Sequence, residues 1–192
     1  CFKIGLYVAL ALAILLGIAG YVLLTVSSVP EVSNYELDLG QVRQLALAGE
    51  GALPVRLNAL LVAEGGYPKI MVIAGTGFQE QRMTFPSFQV VYPDSTIVID
   101  AVQTQAEHGQ YFPGKPYFTD KFDQMQAAMR TSRSILATHA HFDHVGGLAR
   151  SPYFDEISPK IHLTSTQINN AISLANFPPA RLNKLTPFDY DK

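Results

Sequence analysis

Ser134-Ile135-Leu136-Ala137-Thr138-His139-Ala140-His141-Phe142-Asp143-His144-Val145-Gly146-Gly147 is the stretch whose reading decides the fold. A short apolar run of β type ends in His-x-His-x-Asp-His and then in a glycine pair. Three of the five histidines and a carboxylate fall within six residues. That order predicts a buried strand that ends in a ligand-bearing loop and turns into a helix. Neutral imidazoles with a carboxylate suit Zn²⁺, with Mn²⁺ or Fe²⁺ as substitutes. Side chains two apart in an extended segment share a direction, so His139 and His141 are expected to grip one ion together. Beyond Phe142 the chain turns, and Asp143 and His144 would diverge toward a second ion, which two-metal sites place roughly 3.5–4 Å away. Gly146 and Gly147 would let the backbone bend and the next helix approach closely. A lone histidine beside an apolar strand is ordinarily a hydrogen-bonded core residue; four donor residues in six positions outweigh that account.

This motif after a buried strand resembles the signature of the metallo-β-lactamase superfamily. The resemblance is specific at the motif, diffuse elsewhere, and covers the chain after its N-terminal apolar segment. It implies an α/β fold: the α/β/β/α sandwich, truncated to roughly its first half and preceded by one transmembrane helix. It implies a metallo-hydrolase with a dinuclear zinc site. His139, His141, Asp143 and His144 would be ligands, and Asp143 would also be catalytic, orienting the attacking water. The adjacent Asp-His pair resembles the two-metal branches, and so an ester, lactone, thioester or β-lactam-like bond of a small molecule as substrate. The family completes its sites with a later His, a bridging Asp and a further His. No histidine follows His162, so either His108 or His162 is recruited or the remaining ligands lie beyond residue 192; the second is expected, and the chain alone should then bind metal poorly and be inactive.

The family also places an Asp where Asp100 closes the run Thr96-Ile97-Val98-Ile99, and that Asp supports the metal loop by hydrogen bonds. Here Ala101-Val102 replaces the usual Thr-Gly, and from the residues alone Asp100 is equally a loop-side cap. A nuclease or phosphodiesterase of the same superfamily is the alternative activity. A non-catalytic, membrane-tethered relic follows if the gene ends at Lys192. An amidohydrolase barrel would carry its His-x-His near the domain start, whereas about a hundred β-rich residues precede it here.

Residues 4–26 hold no charge, and at about 1.5 Å per residue they match a bilayer core of about 30 Å. Residues 1–28 therefore read as a transmembrane anchor or uncleaved signal, 29–34 as a linker and 35–192 as the hydrolase-like domain. Lys3 precedes the span and Glu31, Glu36 and Asp38 follow it, which puts the main domain outside the cytoplasm. A first residue of Cys1 suggests that N-terminal residues are missing, and as the sole cysteine it forms no internal disulfide. A formal charge of −2 gives no basic footprint, so no nucleic-acid partner is expected.

The remaining pattern predicts strands over residues 53–63 and 69–74 around a Gly65-Gly66 turn, then a simple turn at Gly75-Thr76-Gly77. Two more, 88–92 and 96–99, flank Pro93-Asp94. Residues 101–117 read as a long loop carrying an exposed His108. Residues 118–130 read as a helix with Phe118, Phe122, Met125 and Met129 in one core stripe. Further on come a short helix over 148–153 and a brief strand holding a structural His162. Last is a helix opened by the Thr164-x-x-Gln167 capping box and carrying Ile168, Ala171, Ile172 and Ala175 on one face.

Overall fold

The structure, a computed structural model, describes residues 2–25, 36–49, 51–73 and 75–189. The expected linker over 29–34 lies outside them. The chain divides into two compact units, Cys1–Gly49 with Gly66–Arg82 and Glu50–Gly65 with Met83–Lys192.

The first unit opens with α1 (Phe2–Thr25). Ile4, Leu10, Leu16 and Tyr21 are all exposed on it, and Lys3–Val22 is long and apolar enough to cross a membrane, as a signal sequence also is. The β-rich stretch expected ahead of the motif does not begin at once. Asp38 accepts hydrogen bonds from Gly40 N and Gln41 N and starts α2 (Leu39–Leu47), where a good N-cap and the helix formers Leu, Gln, Arg and Ala outweigh Gly40 and Val42.

Strand β1 (Arg56–Pro68) runs straight through Gly65-Gly66, where a turn was expected. A Cβ on Gly65 would lie 2.8 Å from the rings of Phe85 and Phe112, and one on Gly66 would lie 2.8 Å from the Glu80 side chain. Close packing against a strand, not chain reversal, requires these glycines. The predicted strand over 69–74 is instead one helical turn, α3 (Lys69–Val72). Reversal comes where expected next, with Gly75 and Gly77 at φ of 77° and 85°. β2 (Glu80–Val91) begins eight residues before the predicted strand.

Within the second unit, β3 (Thr96–Ile99) pairs antiparallel with β2, Phe88 opposite Ile99. β4 (Ser134–Leu136) lies parallel to β3, and β5 (Ile161–His162) parallel to β4. Among the described residues the sheet order is β1-β2-β3-β4-β5. The crossover from β3 to β4 holds α4 (Gln105–Tyr111) and α5 (Thr119–Thr131). Residues 101–117 are therefore not one loop: Thr104 and Glu107 form a capping box that opens α4. Met125 and Met129 of α5 are buried as the stripe predicted, and Val98, Ile135 and Ile161 supply the buried side of the sheet. The alternate residues Ile97, Ile99, Leu136 and His162 are half-buried.

Helix α6 (Phe142–Ala149) starts inside the motif and contains both glycines, six residues earlier than the helix expected over 148–153. α7 (Phe154–Ile157) follows after Pro152. The capping box of Thr164 and Gln167 opens α8 (Ser165–Asn169) as predicted, but Asn170 is extended, with ψ of 158°, and breaks the helix. Ile168 is consequently buried while Ile172 on α9 (Ala171–Asn176) is 42% exposed. α10 (Pro179–Leu182) uses Pro179 in its first turn.

Candidate metal centre

The motif sits at the C-terminal end of β4, where parallel strands of open sheets deliver their functional loops. His139 leaves that strand, His141 is the N-cap of α6, and Asp143 and His144 occupy the first helical turn. A carboxylate is favoured there by the helix dipole. His139, Asp143 and His144 each offer one ligand atom, and these atoms lie within 4.8 Å of one another. His139 was expected to pair with His141, and Asp143 with His144. The chain does not stay extended through Phe142, and the new helix folds Asp143 and His144 back over His139. The His139 ring centre is 3.9 Å from that of His144 and 4.6 Å, edge-on, from that of the exposed His141.

Asp100 closes β3 in the left-handed region, φ 63°, a conformation that Asp tolerates better than most residues. Its buried carboxylate accepts from Thr138 N at 2.7 Å and from Thr138 Oγ1 at 3.0 Å. One oxygen lies 2.9 Å from His144 Nδ1, while His144 Nε2 lies 3.3 Å from an Asp143 oxygen. Ser87 Oγ donates to the Asp100 carbonyl at 2.7 Å.

Burial is the largest single influence on His144 and opposes its charge. Hydrogen bonds to Asp100 and Asp143, with their negative charges, outweigh it and raise the imidazole pKa to about 9. Burial likewise pushes Asp100 and Asp143 up, but the His144 partnership prevails and both end below the ordinary carboxylate value. His139 goes the other way, lowered first by burial and then by the charges of His144 and His141.

Backbone bonds clamp α6 to the segment after Asp100: Ala101 N donates to His144 O at 2.8 Å, and Gly147 N to Ala101 O at 3.0 Å. Buried Gln126 donates to Gly147 O at 3.0 Å and accepts from Ser151 Oγ at 2.7 Å. Thr138, Ser87, Gln126 and Ser151 have no sequence signature; only Thr138, directly before the motif, was visible as a neighbour.

His108 is buried, not exposed, and stands outside the ligand group. Its Nδ1 lies 3.1 Å from Gln103 Nε2, and its ring packs beside Phe85, Phe112 and Tyr117. Burial lowers its pKa, more than the carbonyls of Lys115 and Pro116 raise it. His162 meets Phe188 edge-on at 4.7 Å. Beside the motif lies an open groove of about 490 Å³ lined by Ile99, Leu136, Ala137, Thr138, Thr164 and Gln167.

No protein-family model and no curated protein matches the chain. Solved structures do. One is a quorum-quenching N-acyl homoserine lactone lactonase, with a TM-score of 0.53 and 12% identity over 71% of this chain and 57% of that one. A second is an N-acyl homoserine lactone hydrolase with N-hexanoyl-L-homoserine at its catalytic metal centre. It has a TM-score of 0.52 and 11% identity over 71% and 59%. A third is a B. thuringiensis protein with N-decanoyl-L-homoserine at its active site, with a TM-score of 0.52 and 12% identity over 71% and 59%. At these identities the likeness is one of fold, and the chain spans less than two thirds of each of these relatives.

Proposed function

We propose, from the premise that the chain has the fold of the metallo-β-lactamase superfamily, that the intact protein is a metal-dependent hydrolase of small molecules. The observation that carries this is the convergence of His139, Asp143 and His144 at the end of β4. The donor set fits zinc: two imidazoles and a carboxylate, with a third imidazole, His141, adjoining. Asp100 holds His144 through Nδ1 and leaves Nε2 directed at the cluster, as the outer partner of a ligating histidine does.

His139, His141, Asp143 and His144 would hold two ions, with further donors from the rest of the fold. Bound zinc would lower the pKa of water toward about 7 and polarise the bond under attack. Asp143 orients the attacking water, and Asp100 fixes the tautomer and direction of His144. The bond is an ester, lactone, thioester or β-lactam-like bond, and the lactonases among the solved relatives support the lactone. α1 would anchor the protein in a membrane with Lys3 on the cytoplasmic side and the hydrolase domain on the other.

Metal analysis of the intact protein beside His141→Ala and Asp143→Ala tests the site. Turnover of lactone, thioester, β-lactam and phosphodiester panels tests the chemistry. The expected result is bound metal and turnover on at least one of the first three panels, both lost in the variants. Unchanged metal and activity in both variants would remove the site, and turnover confined to phosphodiesters would replace the substrate class.

A further inference from the structure

The reversal between β1 and β2 exposes four large apolar side chains, Met71 at 74%, Val72 at 46%, Ile73 at 49% and Phe78 at 70%. Soluble surfaces ordinarily carry such residues singly. Part of the backbone of this tip is paired within it. Lys69 N donates to Gln79 O at 2.7 Å, Ile70 N to Gly77 O at 2.8 Å and Ile73 N to Lys69 O at 2.8 Å. Thr76 Oγ1 donates to Ile73 O at 2.5 Å.

Charge and chain context point the same way. Between Gly65 and Gln79 the one charged residue is Lys69, with Tyr67 two positions earlier. A cation on a long apolar stem and a tyrosine suit the headgroup level of a bilayer. The tip belongs to the same compact unit as α1, the helix long and apolar enough to cross a membrane. In that unit α2 adds exposed Leu39, Leu45 and Leu47.

We propose that this tip is a second membrane contact. Met71, Val72, Ile73 and Phe78 enter the acyl-chain boundary of the bilayer, and Lys69 lies against anionic headgroups. The proposal goes beyond the anchor assigned to α1 and draws on it, since an anchored chain holds the tip at high effective concentration beside the lipid.

The sequence contains no tryptophan, so single Trp variants of the full chain report their surroundings without background. Met71→Trp, Phe78→Trp, Leu12→Trp on α1 and Tyr153→Trp in the second unit would be reconstituted into phosphatidylcholine–phosphatidylglycerol vesicles with brominated acyl chains. Docking gives blue-shifted, bromine-quenched emission at positions 71 and 78 and none at 153. It also gives weaker quenching when Lys69→Glu is added to Met71→Trp. Quenching at position 12 but not at 71 or 78 overturns the docking and leaves the anchor standing. Quenching at 71 and 78 without quenching at 12 does the reverse. A blue shift at 71 and 78 without bromine quenching means that protein, such as a second copy of the chain, covers the tip, and overturns the proposal.

Discussion

Asp100 and His144 face each other across the end of the sheet, Oδ2 to Nδ1 at 2.9 Å, although they stand on different elements 44 positions apart. The same carboxylate receives the Thr138 amide and hydroxyl, so one buried group fixes both the start of the motif and its last histidine. Asp100→Asn keeps the shape and tolerates the positive φ, but replaces one acceptor with an amide donor that faces donors. Expected is a drop in zinc affinity of about 10–100-fold with a stability loss of about 1–3 kcal/mol. Calorimetric zinc titration beside thermal melts measures both, and unchanged affinity would show that Asp100 does not orient the ligand.

The metal-free protein should lose stability at both ends of the pH scale through this cluster. The folded pKa of His144, about 9, exceeds its unfolded 6.5. Its contribution is complete below 6.5 and disappears as pH rises through about 9. Asp100 and Asp143 are shifted below 3.8, so theirs is present above 3.8 and disappears as pH falls through their lower folded values. The alkaline limb is on the order of 3 kcal/mol at most. Denaturant midpoints of the metal-free protein between pH 6 and 10 should fall, and His144→Gln should flatten that slope. NMR should place the His144 titration near 9 and that of His139 below 6.5; a His144 titration at its ordinary value contradicts the pairing.

Much of the centre was legible because its donors are adjacent in the chain: the strand, the motif, Asp100 and the β-α-β order all carry local signals. What the sequence hid is where extended chain becomes helix. Phe142 begins α6 with neither an N-cap side-chain bond nor a proline to announce it, and the glycine pair after it looked like a bend. Both glycines instead lie inside the helix, demanded by tertiary contact with residues 101–103. The same blindness applies at Gly65-Gly66, where packing against Phe85, Phe112 and Glu80 imitates a turn signal. Burial of His108 was likewise invisible, since its partners are aromatic residues from 85 to 117 brought together by the fold.

The helical glycines supply a direct contrast. A Cβ on Gly147 would lie 2.5 Å from Val102 O and 2.9 Å from Met125 Cε. Backbone cannot yield there without lifting α6, and with it Asp143 and His144, away from Asp100. Gly147→Ala should therefore cost at least about 1–3 kcal/mol from overpacking and weaken zinc binding as well. Gly109 lies inside α4 with nothing within 4 Å of a Cβ, so Gly109→Ala should gain up to about 1 kcal/mol through helix propensity alone with zinc affinity unchanged. Melting curves and zinc titrations of the two variants decide it. A Gly147→Ala protein as stable and as zinc-competent as the wild type would mean that α6 is not held this closely.

The buried pair Gln103 and His108 permits a double-mutant test. Gln103 Nε2 meets His108 Nδ1 at 3.1 Å, and both side chains are buried. His108→Phe keeps ring packing against Phe85, Phe112 and Tyr117 but strands the Gln103 amide, at a cost of about 1–3 kcal/mol. Gln103→Leu strands the imidazole in the same way. Both together remove the buried polar groups at once, so the double variant should be more stable than the sum of its parts, by a coupling of about 0.5–3 kcal/mol. The pH response adds a second readout. Burial sets the folded pKa of His108 below 6.5, so its contribution is present above 6.5 and is lost as pH falls toward the lower value. That part of the acid limb should vanish in His108→Phe and survive in Gln103→Leu. Additive losses with an unchanged acid limb would mean that the two side chains do not act as a pair.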